Sequence, residues 1–306
     1  LVERPFEPVV RCNTHLDHVI VSERKQSLAR NLRDIVALRR ARYDLVIDFL
    51  GKPRTALWSW LTGAPRRIGY AAPGRRFFYT DNATVERPDD YTVLHKAVLL
   101  QPLGIAVTDL RLEFPVAAAD QAWARDHLAA LGAGAGARLA AIAPGTRRED
   151  KLWPADRFAA VADRLVEAHG LTPLFICGPG EEDQIEAVRR LMKRPSLAGA
   201  ERPPLPRVQA LLERCALFVG NDTGLRHMAV AAGLPTVAIF GQPRAVNWTP
   251  PDDPRHRSLD IDPDCKRHCT FPQCGRECLT GISVEAVLQA VDGVLAAGGK
   301  SSCARQ

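Results

Sequence analysis

The residues best placed to do chemistry lie in Asn221-Asp222-Thr223-Gly224, with His227 one turn further on. An apolar run, Leu217 to Val219, precedes them, a helix-like segment from Leu225 to Ala232 follows, and a second apolar run spans Thr236 to Phe240. That succession predicts a parallel strand, tight loop, helix, strand unit. Asn221 and Asp222 are helix-capping types, and Gly224 lets a ligand approach the backbone where unpaired N–H groups and the helix dipole favour an anion. Thr223 and His227 are four apart and share one face of the helix start. The chemistry on offer is the seating of a diphosphate. Taken alone, the stretch is equally served by Asp222 capping a helix and His227 packing in its first turn.

Two earlier loops carry comparable groups. Pro144-Gly-Thr146 to Lys151-Leu-Trp-Pro154 follows the apolar run Leu139 to Ala143 and precedes a helix expected over Asp156 to Ala168. Lys151 can supply a point charge to a phosphate, or be an ordinary exposed lysine before a helix. Glu181 follows the run Pro173 to Cys177 and Gly178-Pro-Gly180, where it could accept hydrogen bonds from ribose hydroxyls or favour a helix dipole as a first-turn acid. Ligands of open parallel sheets bind outside the carboxyl ends of the strands, so three successive strand ends deliver Thr146, Lys151, Glu181 and Asp222 to one edge.

The elements that position these groups alternate strand and helix, which predicts an α/β fold with parallel sheets. In the first part of the chain, strands are expected over Leu16 to Val21, Asp44 to Leu50, Ile68 to Tyr70 and Phe77 to Tyr79, with helices over Ser27 to Arg42 and Tyr91 to Leu103. Lys52, Arg54, Arg67, Arg75 and Arg76 gather near one end of this part, where guanidinium forks suit phosphate or carboxylate. The alanine-rich run around Pro115 to Ala119 suggests a boundary. The expected domains are 1–117 and 118–297, the second ending in an amphipathic helix from Ser283 to Leu295, with a disordered tail over 298–306.

The chain has 306 residues, 46% hydrophobic and 25% charged, which suits two globular domains rather than disorder. Its net charge of +6 favours partners bearing phosphates or carboxylates. Aromatic residues make up only 6%, without the basic and aromatic interleaving of single-strand binders, so nucleic acid is not the expected partner. No apolar run approaches a bilayer-spanning length and none reads as a secretory leader, so a soluble, intracellular protein is expected. Leu1 is not an initiator methionine, and the opening reads as the interior of something longer.

Cys265, Cys269, Cys274 and Cys278 form a Cys-x3-Cys-x4-Cys-x3-Cys cluster, close enough in sequence for zinc or disulfides. The spacing is not the usual paired Cys-x2-Cys, and disulfides are disfavoured in a cytosolic enzyme, so a structural loop without metal is expected. Cys12, Cys177, Cys215 and Cys303 are dispersed.

Together, Pro144-Gly-Thr146, Lys151-Leu-Trp-Pro154, Gly178-Pro-Gly-Glu181, Gly220-Asn-Asp-Thr-Gly-Leu-Arg-His227, Phe240-Gly241 and Trp248-Thr-Pro250 resemble glycosyltransferase family 9, the lipopolysaccharide heptosyltransferases. Tyr43-Asp-Leu-Val-Ile-Asp48 and Arg67-Ile-Gly-Tyr70 are similar to the family's first domain. The resemblance implies a GT-B fold: two Rossmann-like domains with parallel sheets facing across a cleft, acceptor on the first and nucleotide sugar on the second. It implies an inverting, metal-independent heptosyltransferase, peripheral to the cytoplasmic side of the inner membrane, taking ADP-heptose as donor substrate with no cofactor. The implied acceptor is the lipopolysaccharide inner core, which gives Lys52, Arg54, Arg67, Arg75 and Arg76 an acidic partner. By position, Lys151 falls to the donor phosphates, Glu181 to the ribose, Asp222 to the sugar hydroxyls, backbone groups of Thr223 and Gly224 to the diphosphate, and His227 to the pocket lining, with Thr146 also at the donor site. The family's usual catalytic Asp follows an opening strand and a Gly that this sequence does not contain, and Asp48 is the substitute it offers. Other readings are a GT-B transferase or epimerase using another nucleotide sugar, and a non-catalytic nucleotide-sugar-binding protein lacking the base.

Overall fold

The computed structural model describes residues 1–23, 25–199, 202–242, 244–265 and 268–301. The chain divides into two compact units whose segments interleave. One comprises Leu1–Arg4, Ile20–Leu110 and Val246–Trp248; the other comprises Pro5–Val19, Arg111–Ala245 and the chain from Thr249 onward. The sequence suggested a single break near residue 117. Instead Pro5–Val19 joins the second unit, because its short helix packs on a helix of that unit.

The first unit holds β1 (Val2–Glu3), β2 (Val21–Ser22), α2 (Leu28–Arg40), β3 (Leu45–Ile47), α3 (Pro53–Leu61), β4 (Arg66–Tyr70), β5 (Asp81–Ala83) and α4 (Thr92–Ala97), while α1 (Glu7–Val10) lies in the second unit. Strands β3, β4 and β5 form one parallel sheet in that order, and β1 pairs with β2 in another. The core under the three-stranded sheet is small, centred on Ile68, Ala83 and Leu99. Two expected strands are corrected here. Of Leu16 to Val21 only Val21 is in the ladder, with Ser22, since β1 offers only two residues to pair. Phe77 to Tyr79 lies in and just after a single 3₁₀ turn, Arg76–Phe78: its β-favouring aromatic composition is overridden as Phe77 stays exposed, its ring tilted against that of Phe78 with centroids 4.1 Å apart.

The second unit adds α5 (Ala118–Ala130), β6 (Leu139–Ala143), α6 (Ala155–His169), β7 (Thr172–Phe175), α7 (Glu182–Leu191), β8 (Leu197–Ala198), α8 (Leu205–Leu212), β9 (Leu217–Asn221), α9 (Gly224–Ala231), β10 (Thr236–Phe240), β11 (His256–Asp260), α10 (Glu277–Thr280) and α11 (Val284–Ser301). Its six strands pair in parallel in the order β11-β10-β9-β6-β7-β8. Every residue of β6, β9 and β10 is buried, which is why these strands read as continuous apolar runs rather than alternating ones. One face packs on Phe158, Leu165, Val188, Val287 and Val291, the other on Leu128, Val208, Leu212 and Ala229. Helix α11 runs on to Ser301, so residues 298–301 are helical rather than a disordered tail; the rest of that tail lies outside the described residues. Among the described residues no helix is long and apolar enough to cross a membrane.

Candidate functional site

The chain leaves β6 for β7 and β8 on one side and later passes from β9 to β10 and β11 on the other. The order therefore reverses between β6 and β9, and the connections leaving their carboxyl ends diverge to open a crevice. Pro144–Trp153 leaves β6 there, and Asp222-Thr223 leaves β9.

Lys151 crosses this crevice. Its ammonium lies 2.5 Å from Asp222 Oδ2 and 3.5 Å from the Asp222 carbonyl oxygen, with the Asp222 side chain only 6% exposed. Thr223 is the N-cap of α9 on extended backbone, yet its hydroxyl makes no capping bond and is buried without a hydrogen-bond partner among the described residues. An unmade bond of that kind costs about 1–3 kcal/mol, which an arriving acceptor atom would recover. Next to it Gly224 is exposed, and a Cβ built there meets no heavy atom within 4 Å. The first turn of α9 thus combines free space, a stranded hydroxyl and the positive end of a helix dipole.

His227, in that turn, has its pKa lowered to about 4 by burial, with the neighbouring Arg226 and Lys151 charges acting in the same direction against Asp222. It is a neutral imidazole at pH 7. Arg226 is wholly buried, with its guanidinium 5.6 Å from the Phe240 ring centroid and 3.5 Å from Ser258 Oγ.

The loop that presents Lys151 is held by side chains from other elements. Asn221, fully buried at the end of β9, donates from Nδ2 to the Pro144 carbonyl at 2.6 Å and accepts the Trp153 N–H at Oδ1 at 3.3 Å. Gln184 of α7 accepts the Thr146 N–H at 2.8 Å and donates to the Thr146 carbonyl at 3.1 Å. Arg148 pairs with Asp150, and the Trp153 indole N–H donates to the Ile282 carbonyl at 3.1 Å. Glu181 is the N-cap residue of α7, 7% exposed, its Oε2 accepting the Gly178 N–H at 2.8 Å. Thr146, Lys151, Glu181, Asp222, Thr223, Gly224 and His227 therefore all stand at the carboxyl edge of one sheet. Gln184 and Arg226 were not singled out from sequence. Asn221 was visible only as a capping type, and Gln184 carried no signal beyond following Glu181 into a helix.

The family model for glycosyltransferase family 9 (heptosyltransferase) matches residues 32–273. The chain belongs to glycosyltransferase family 9. The lipopolysaccharide heptosyltransferase 3 of Escherichia coli K12 is 27% identical over 224 residues, covering 71% of this chain and 64% of the relative. This chain thus spans just under two thirds of that relative's length. Among solved structures, the family 9 glycosyltransferase of Veillonella parvula DSM 2008 superposes with a TM-score of 0.82 at 23% identity, covering 96% of this chain and 87% of that one. The E. coli ADP-heptose lps heptosyltransferase II superposes with a TM-score of 0.73 at 18% identity, over 96% and 87%. The fold is accordingly of the GT-B class seen in family 9.

In the first unit the residues expected at an acceptor site divide into those that hold the fold and those that are free to bind. Arg54 donates to the Glu23 carbonyl and to Asn31 Oδ1 and stacks 4.8 Å from the Trp58 ring centroid. Arg67 donates to the Ala64 carbonyl before β4 and to the Phe78 carbonyl after it, tying the two flanks of the strand together. Lys52, at the N-cap of α3, and Arg76 are exposed, and Arg75 has a buried Nε without a hydrogen-bond partner. Asp48 is 6% exposed and accepts from the Leu50 and Gly51 N–H groups and from the Thr55 and Tyr79 hydroxyls. A carboxylate has about four acceptor positions, and these four bonds occupy them. Asp48 organises the end of β3 through these bonds. Burial of the Tyr70 phenol pushes its pKa up to about 12, with the Asp48 charge as the smaller cause.

Cys265, Cys269 and Cys274 are free thiols, and Cys278 packs at the edge of the larger core cluster. Cys303 lies outside the described residues. Among the described residues no group of three or more His, Cys, Asp or Glu side chains is arranged to hold a metal ion.

Proposed function

We propose that this protein transfers a heptose from ADP-heptose to the inner core of lipopolysaccharide, with inversion and without a metal ion. The observation that carries the reading is the Lys151–Asp222 pair set against the first turn of α9, where the Thr223 hydroxyl is buried and unbonded. Family membership supplies the reaction class, and the E. coli relative named for ADP-heptose supports the donor.

Transfer forms a bond between the acceptor oxygen and the anomeric carbon as the bond from that carbon to the diphosphate breaks. The acceptor gives up a proton, and negative charge grows on the leaving group. Lys151 and the N–H groups of α9 stabilise that charge, the part a metal plays in other transferases. On donor binding the ammonium exchanges Asp222 for a phosphate oxygen, and the freed Asp222 carboxylate accepts bonds from sugar hydroxyls. Glu181 accepts from the ribose, and neutral His227 lines the pocket without adding charge. The acceptor proton passes to a carboxylate base, for which Asp48 at the end of β3 is the candidate, one of its hydrogen-bond donors giving way to the acceptor hydroxyl.

An acceptor embedded in a bilayer places the reaction at the cytoplasmic face of the inner membrane, with the protein bound peripherally. Lys52, Arg75 and Arg76 are the cations available to the acidic sugars of the core. The test is transfer from ADP-heptose to a heptose-deficient inner core, with and without EDTA, the anomeric configuration being read by NMR. An inverted product that EDTA does not suppress supports the reading. ADP binding without turnover would instead indicate a donor-binding protein, and preference for UDP or GDP would remove the heptose assignment.

A further inference from the structure

Asn221 stands immediately before the Asp222 carboxylate that receives Lys151, and its side-chain amide touches both ends of the loop that carries Lys151. The donor half of the amide takes the Pro144 carbonyl where the chain leaves β6, and the acceptor half takes the Trp153 N–H just before α6 begins. The loop is long for the distance it covers, so a single buried side chain joining its two feet fixes how far its middle can reach. Gln184 holds Thr146 from the opposite side by its own pair of bonds. Among the described residues no other side chain bridges both ends: Arg148–Asp150 is internal to the loop, and Arg276 donates to Glu149 from an exposed position.

We propose that Asn221 is the positioning residue of the donor site: it clamps Pro144 to Trp153 so that Lys151 is presented to the diphosphate at the mouth of α9. The inference rests on the donor-site reading above and deepens it. Asn221 is fully buried, so it acts on a ligand only through the loop. The residue must both donate and accept. In Asn221→Asp one oxygen still accepts from Trp153, but the other faces the Pro144 carbonyl, acceptor against acceptor, and the clamp opens at that end.

The experiment is a double-substitution cycle on the full chain with ADP as probe, using Asn221→Asp, Asn221→Ala, Lys151→Ala and the combinations. Amide hydrogen exchange over 144–153 is measured in each. Loss of one buried partner corresponds to about a tenfold fall in ADP affinity in either single Asn221 variant. In the Lys151→Ala background the same change should cost less than twofold, because the effect travels through that lysine. Exchange over 144–153 should rise while β7 and α11 stay protected. Additive losses, or exchange raised throughout the unit, would reduce Asn221 to a general stabiliser and overturn the proposal. If the unsubstituted chain binds no ADP, the donor reading falls by itself; the exchange pattern then decides the clamp, and a loop unchanged in Asn221→Ala rejects it.

Discussion

The carboxylate of Glu181 fills the space that a side chain at Gly145 would need: a Cβ built there stands 2.7 Å from both Glu181 Cβ and Oε2. The first residues of one loop and the cap of α7 are thereby fitted to each other. Gly145→Ala has to displace Glu181, which is itself bonded to Gly178. We expect it to destabilise by about 1–3 kcal/mol, as overpacking does, and to weaken binding of ADP more than of inorganic pyrophosphate, which has no ribose. Chemical denaturation and parallel titrations check both. Equal losses for the two ligands would remove Glu181 from the ribose site.

Thr223→Val separates stability from binding. The hydroxyl it removes is buried and has no partner in the free protein, so the midpoint of unfolding should be unchanged or rise. ADP affinity should nevertheless fall, by about five- to tenfold for one lost hydrogen bond. A variant that is less stable and binds normally would show that the hydroxyl serves the fold.

Lys151→Met leaves the Asp222 carboxylate, 6% exposed, without its cation. A charge-assisted bond is worth about 1.5–3 kcal/mol, so ADP affinity should drop by about one to two orders of magnitude. Lys151→Arg should rescue it only partly, since the planar fork cannot reproduce a point donor shared between the Asp222 carboxylate and carbonyl. Isothermal titration decides, and full rescue by arginine would argue for bulk charge over position.

Acid should destabilise the second unit through His256. This ring is 6% exposed, contacts Thr236 Oγ1 at 3.0 Å, and has its pKa lowered to about 4, chiefly by burial. The unfolded chain, with an ordinary histidine near 6.5, binds the proton first. Stability from this residue is therefore complete above about pH 6.5 and lost as pH falls toward 4, by up to about 3 kcal/mol. His256→Asn should flatten that limb of the stability profile measured by denaturant titration between pH 4 and 7. An unchanged slope would locate the acid sensitivity elsewhere.

What the sequence made legible follows from how each element is stabilised. Strands β6 and β10 were bounded to the residue, because strands buried on both faces are written as unbroken apolar runs. The loops bearing Lys151, Glu181 and Asp222 could be placed because a strand end fixes where its loop emerges. Phe77 to Tyr79 misled, since local preference for strand says nothing of whether a neighbour exists to pair with. Asp48 was visible as an acid at a strand end. That four donors surround it depends on Tyr79 and Thr55, whose approach no local pattern encodes. Asn221 and Gln184 were illegible for the same reason: their partners are backbone groups of Pro144, Trp153 and Thr146, and backbone is identical at every position of a sequence.

The bond from the Trp153 indole to the Ile282 carbonyl has a consequence for how the protein is made. Trp153 is 1% exposed, and the side chains that close over the same core include Ile282, Val287, Val291 and Val294. A ribosome produces Lys151 and its loop well before it produces any of these. Until they emerge, that face of the sheet is uncovered and Trp153 has no partner for its N–H, so the crevice between β6 and β9 is completed late in synthesis, whatever order the strands adopt.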